Sequence, residues 1–245
     1  MKRFWIIAAI ITVIYCCRGF LGSPAYKINE PTKIPTIILS ESLSRNDISP
    51  KIELEDEVLI CIAYTESFHR KPYTCYGQWL IGYGQARING QLVHDGMTID
   101  ELTAQKEARK HLRKHVFPAI NKYVKRPLTR GEFICCSLLA YNMGTKGFKK
   151  CDFLKALNEG DPQEECIKNL KGRGGVAKRR WVDAALFTGA ITPYDLVQLS
   201  AGGCYNFSTD DLYNDSGVVD LSPKKVDDFL TSDLNQIGKK VIDII

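Results

Sequence analysis

Polarity along the chain changes regime three times. After a basic start, Met1-Lys-Arg3, the run Phe4 to Cys17 is apolar apart from the hydroxyl of Tyr15. A run of about 14 residues suits the apolar region of an export signal better than a full membrane span of about 20. Counted through Leu21 it just reaches across a bilayer, with Arg18 snorkelling to the headgroups. No small-x-small cleavage site follows, so residues 1–23 are expected to be a signal peptide or a retained signal anchor. Pro24, Pro31, Pro35 and Pro50 then punctuate a stretch without periodicity, read as a linker over 24–52.

From residue 53 the pattern becomes that of a folded domain. Val58-Leu-Ile-Cys-Ile-Ala63 centres a predicted helix from Glu53 to Thr65. An aromatic segment follows that turns at Gly77 and returns through Trp79 to Gly82-Tyr83-Gly84, the pattern of a β-hairpin. A second strand pair is predicted over Gln85 to Val93, with Asn89-Gly90 as a type I′ turn. Thr98-Ile-Asp-Glu101 reads as a capping box opening a helix to about His115, with Leu102, Ala108 and Leu112 on one face and Pro118 expected to kink or end it. Leu128-Thr129 opens another helix, apolar nearly all round from Phe133 to Tyr141 and so predicted to be buried, which Asn142-Met-Gly144 ends. Further helices are predicted over Phe148 to Leu157, over Glu164 to Leu170, and from Arg179-Arg-Trp181 to near Gly189. Val226 to Ile245 has amphipathic spacing through Phe229, Leu230, Leu234, Ile237 and Val241. The resulting fold class is α+β: a small hairpin lobe joined by a helix to a larger helical lobe, with a cleft between them.

Charge refines this picture. The net +5 is uneven: residues 191–245 hold nine Asp, no Glu and four Lys, near −5, so residues 1–190 carry about +10. A basic body suits a polyanionic partner, whether nucleic acid, anionic lipid or the acidic polymers of a bacterial wall. The nine cysteines show no zinc-like spacing, and with four histidines a metal site has little support. Export would permit disulfides, with Cys61, Cys135, Cys136, Cys151, Cys166 and Cys204 as candidate partners of undetermined connectivity.

The chemistry centres on Glu66, a lone carboxylate at the end of an apolar helix and at the mouth of the expected cleft. Alone it is an ordinary surface glutamate. Its neighbours change that reading: Cys75 stands nine positions on, and Ile81-Gly-Tyr-Gly84 follows. Farther along come Thr98, Leu128-Thr129, Tyr141-Asn-Met-Gly144, the segment Leu154 to Asp161, Gly174-Gly175 and Arg179-Arg180, with Asp183 in an acidic place. In order and spacing this series resembles the phage-type lysozymes, glycoside hydrolase family 24, over about residues 54–190.

The resemblance implies a lysozyme-like domain over 53–190, followed by an acidic C-terminal extension, 191–245. It implies a peptidoglycan-hydrolysing muramidase that cuts the β-1,4 bond between N-acetylmuramic acid and N-acetylglucosamine without cofactor or metal. Such a reaction needs a proton on the leaving oxygen and help at the anomeric carbon. The first task falls to Glu66 and the second to Cys75, whose thiolate can act as base or nucleophile. Tyr83, Gln85 and Asn142 are implied at substrate-binding positions. The expected partners are peptidoglycan and, through residues 4–21, the inner membrane; no nucleic acid is expected, and the chain is expected to be a monomer that is exported to the periplasm or secreted. Three features depart from the family. Cys75 to Gly82 is one residue short, the family threonine falls on Leu80, and the histidine after Gly-Tyr-Gly is Gln85. Two rival readings therefore stand beside the first: a peptidase or amidase acting on wall peptides with Cys75 as nucleophile and His94 or His111 as base, and a non-catalytic wall-binding protein.

Overall fold

The computed structural model describes residues 54–171, 176–201, 213 and 218–231. The export segment, the linker, Cys16, Cys17 and Cys204 lie outside the described residues. Among the described residues no helix is long and apolar enough to cross a membrane.

Helix α1 spans Leu54–Glu66 and is followed by the hairpin β1 (His69–Cys75) and β2 (Gln78–Gly82). The strands pair antiparallel, Cys75 opposite Gln78, around a two-residue turn. Tyr76 and Gly77 both take positive φ there, 49° and 77°, as a type I′ turn requires. A second small hairpin, β3 (Arg87–Ile88) and β4 (Gln91–Leu92), turns at Asn89-Gly90 as the sequence predicts.

Helix α2 runs over Glu101–His111, and its N-cap is Asp100 rather than Thr98. The Asp100 carboxylate accepts from the Thr103 amide at 2.8 Å and from its hydroxyl at 2.7 Å, a geometry that a carboxylate one residue before the first turn achieves better than Thr98 two positions earlier. Pro118 does not end the helical path. A π-helical turn, Leu112–Val116, intervenes, in which the Phe117 amide donates to the Leu112 carbonyl, and α3 (Phe117–Tyr123) continues from it. The wider turn accommodates a residue that lacks an amide hydrogen and would crowd a regular α-turn.

Helix α4, Arg130–Lys150, opens with a complete capping box between Thr129 and Glu132. Its first half, Glu132 to Ala140, is buried throughout, and Gly144, at φ 73° and ψ 160°, kinks it where the sequence predicts an end. The short helices α5 (Asp152–Glu159) and α6 (Gln163–Ile167) follow, then α7 (Ala177–Thr188) and α8 (Pro193–Ala201). Cys151 separates α4 from α5, so the predicted helix from Phe148 to Leu157 is two pieces. The six cysteines among the described residues are free thiols; Cys61, Cys135, Cys136 and Cys166 are buried core atoms and form no disulfide.

The core joins α1, α4 and α7, and the acidic C-terminal part adds to it. Ile191, Leu196, Val219 and Phe229 are buried in the same apolar cluster as α1 and α4. Residues 223–231 are helical, and Phe229, at 0% exposure, stacks on Trp181 (4.5 Å between centroids) and meets Tyr64 edge-on at 6.5 Å. The Trp181 indole also donates to the Asp220 carbonyl at 2.8 Å. Phe229→Ala should therefore cost about 3–5 kcal/mol, read as a lower urea midpoint at unchanged slope. A loss well under 1 kcal/mol would mean that this segment does not help hold α7.

Candidate active site

Glu66 is the last residue of α1. Ser67 follows with φ 57°, which stops the helix and turns the chain into β1. A helix that ends this way leaves its final carbonyls without intrahelical partners. Arg179, in the first turn of α7, supplies one: its Nη2 donates to the Thr65 carbonyl at 3.1 Å and forms an ion pair with Glu66 Oε2 at 3.0 Å. Both charged side chains are largely sheltered, at 17% and 15% exposure, so the pair is stronger than one in open solvent.

Gly84 lies directly against this carboxylate. A Cβ there would stand 3.6 Å from Glu66 Oε2 and 3.9 Å from the Tyr73 hydroxyl, so bare backbone lines the place where the two groups converge. Tyr73 is two residues before Cys75 on β1 and shares its face; Leu80, directly opposite Tyr73, lies on that face too. Burial raises the Tyr73 phenol above its ordinary pKa, and negative charge on Glu66 and then on Cys75 adds to the rise. Tyr73 is thus within electrostatic reach of both predicted catalytic groups. Thr74 is exposed on the opposite face of the strand, whereas Gln78 sits beside the half-exposed Cys75.

Tyr83, Gln85 and Asn142 lie around this wall and hold it. The buried Tyr83 phenol donates to Glu101 Oε1 at 2.8 Å, and its carbonyl accepts from the Tyr141 hydroxyl at 2.9 Å. Gln85 folds back: its Oε1 accepts from the Tyr83 amide at 2.6 Å and its Nε2 donates to the Ala104 carbonyl at 2.9 Å. A Cβ on Gly82 would fall 2.3 Å from that Oε1, so the first glycine of Gly-Tyr-Gly makes room for the amide. Asn142 is exposed, and its Oδ1 accepts from Arg180 Nη2 at 2.7 Å.

Arg180 also donates through Nη1 to Asp183 Oδ2 at 2.6 Å. Asp183 is wholly buried, and its Oδ1 has no hydrogen-bond partner among the described residues. Burial pushes this carboxyl up to about 6 despite the opposing pull of Arg180 and Arg179; the negative charge of Glu66 adds to the rise.

The predicted pair Glu66 and Cys75 therefore shares a wall through Tyr73. The histidines of the rival peptidase reading are elsewhere: His94 faces the Asp95 carbonyl at 2.7 Å, and His111 packs on His115 and Tyr141. No histidine lies within hydrogen-bonding distance of the Cys75 thiol among the described residues. Two residues that the sequence did not single out for the site are Arg179, visible only as half of a doubled arginine, and Tyr73, whose signal was its position two before Cys75.

The family model for phage lysozyme matches residues 63–181. An endolysin from Escherichia coli O157:H7 phage FAHEc1 is similar in structure at 27% identity and a TM-score of 0.51, over 59% of this chain and 98% of that one. A variant of P22 lysozyme is 26% identical (TM-score 0.47; 57% and 99% covered), and the muramidase domain of SpmX from Asticaccaulis excentricus is 22% identical (TM-score 0.47; 56% and 98% covered). No curated protein sequence matches the chain.

The Asp183 geometry has a pH signature. Its folded pKa lies above the ordinary 3.8. Below about 4 the group is neutral in both folded and unfolded chains and costs nothing; as pH rises to 6 and beyond, the unfolded chain ionises first and the fold loses up to about 3 kcal/mol. Asp183→Asn keeps an acceptor for Arg180 and removes this titration. Its stability relative to wild type should rise between pH 4 and 7 in urea melts, and a difference that stays flat would exclude the raised pKa.

Proposed function

We propose that the chain, whose residues 63–181 match the phage-lysozyme family model, is a peptidoglycan-hydrolysing muramidase in which Glu66 is the general acid and Cys75 works opposite it. The observation that carries this reading is the sheltered Glu66 carboxyl, fixed by Arg179 beside bare Gly84 on a wall shared with Tyr73 and Cys75. Glu66 gives a proton to the bridging oxygen as the bond to the anomeric carbon breaks. The Cys75 thiolate takes a proton from the water that adds to that carbon. A base role fits a thiolate better than attack on the sugar, because a thioglycoside offers a poorly basic sulfur for its own later cleavage. The Tyr73 hydroxyl, opposite Leu80, holds the water that a threonine at that place would hold.

Tyr83, Gln85 and Asn142 serve the substrate at one remove, by fixing the backbone around Gly84 and the arginine pair behind Glu66. The apolar run 4–21 supports delivery across or into the inner membrane, where a basic body meets an acidic wall. The enzyme would act there as a monomer, exported to the periplasm or secreted.

Reducing-end release from purified peptidoglycan tests the assignment. Glu66→Gln should lower kcat by about 10²–10⁴, the range of a lost general acid. Tyr73→Phe, which keeps the ring, should lower kcat by about tenfold with KM little changed, as expected for one lost hydrogen bond to a reacting group. New amino groups in place of reducing ends would move the chain to the peptidases, and tight wall binding without either product would make it a binding protein.

A further inference from the structure

Arg179 serves Glu66 from the first turn of α7, and that turn has no cap of its own. The N-cap position is Val176, an apolar residue in αR conformation that offers no side-chain hydrogen bond to the helix. An uncapped first turn leaves its amides open and is the part of a helix that frays. Fraying there would carry Arg179 away from both the Thr65 carbonyl and Glu66 Oε2.

The C-terminal part grips this turn on either side of Arg179. Two residues before it, the Ala177 carbonyl accepts from the Tyr213 hydroxyl at 2.6 Å. Two residues after it, the Trp181 indole donates to the Asp220 carbonyl at 2.8 Å and is covered by Phe229. These grips belong to one strap. Tyr213 and Val219 form an antiparallel bridge, which places Tyr213 beside the segment that carries Asp220. The Ser222 amide donates to Asp220 Oδ1 at 2.9 Å, and the Val226 amide to the Ser222 carbonyl at 3.1 Å, which starts the helical stretch bearing Phe229. Burial pushes the Tyr213 phenol up to about 12, against the pull of Arg180 and with the charge of Asp183 adding, so its hydroxyl keeps the proton it donates. A segment that only completed the core would need Phe229 alone. The two polar bonds bury little apolar surface and fall instead on the backbone and the indole that flank Arg179.

We infer that this strap is a positioning element for the reaction: Tyr213 and Asp220 hold the first turn of α7 in register, and through it hold Arg179 on Glu66. Tyr213 is then a positioning residue that acts through Arg179. Its effect on rate rests on the muramidase reading; its effect on Arg179 does not.

The test is a double-mutant cycle in the full chain. Tyr213→Phe removes one hydroxyl and keeps the ring, so the fold should persist. It should lower kcat for reducing-end release about fivefold, the worth of one hydrogen bond, with KM little changed. Arg179→Gln should lower kcat by at least as much, and adding Tyr213→Phe to it should cost nothing further. A loss of packing that acted elsewhere would multiply the two effects. A second readout needs no turnover. The guanidinium protons of Arg179, assigned in NMR spectra by their absence from Arg179→Gln, should exchange with water about fivefold faster in Tyr213→Phe than in wild type. A full kcat, a change confined to KM, multiplying losses, or unaltered Arg179 exchange would each overturn the inference. Absence of reducing ends from wild type would remove the muramidase reading instead, and the exchange rates alone would then decide whether the strap holds Arg179.

Discussion

The reach of one arginine nitrogen from α7 to the end of α1 is the constraint on which the wall around Glu66 depends. A helix that ends on its own acid has two problems: open carbonyls, and a carboxylate free to swing. Arg179 answers both at once, at 3.1 Å to the Thr65 carbonyl and 3.0 Å to Glu66 Oε2. It does so from 114 residues farther along the chain, so its accuracy is set by the core and not by local sequence. Helix α7 packs on α4 closely enough that a Cβ on Gly131 would stand 2.3 Å from the Leu186 carbonyl oxygen. Trp181, two residues after Arg179, is tied by its indole to Asp220 and covered by Phe229. The C-terminal residues that lie beyond the family match are therefore mechanically connected to Glu66.

The neighbouring arginine shows what this accuracy costs. Arg180 sits at 6% exposure and Asp183 at 0%, and the carboxyl, even with a bond of 2.6 Å to Arg180, is pushed up by its burial. Buried ion pairs of this kind often add little to stability. Here the pair fixes direction instead: Arg180 also holds Asn142, two residues before the Gly144 kink, so α7 and the bend of α4 are locked to each other. With Arg180 committed in that way, only Arg179 is left for Glu66.

Features set by near neighbours were legible in the sequence. The apolar run of α1, the Asn89-Gly90 turn and the helix start at Leu128-Thr129 each depend on a few adjacent residues, and each formed as expected. The family pattern pointed to Glu66 and Cys75 through a spacing that is local as well. Misreadings arose where a competing local option existed. Asp100 outcompeted Thr98 as a cap, and the interruption expected at Pro118 took the form of a π-helical turn. The cysteine count, with export expected, suggested disulfides, yet Cys61, Cys135 and Cys136 were used as small apolar core residues. The links from Arg179 to Glu66 and from Phe229 to Trp181 could not be read at all, since no short pattern encodes a meeting of distant residues.

The hairpin shows how a sequence departure becomes a structural substitution. With one residue fewer than the family between Cys75 and Gly82, the turn contracts to Tyr76-Gly77, and a bulky side chain must take φ 49° at a cost of about 1–2 kcal/mol. Register in a hairpin follows from the turn. The tight turn sets Cys75 against Gln78 and therefore Tyr73 against Leu80, all on one face. The position that would carry a hydroxyl on β2 is a leucine, but its cross-strand partner on β1 is a tyrosine whose hydroxyl reaches the side of Gly84 where Glu66 lies. Leu80 stands where the family has its threonine, and the tight turn pairs it with Tyr73, so a hydroxyl still lies beside Gly84, carried by the other strand.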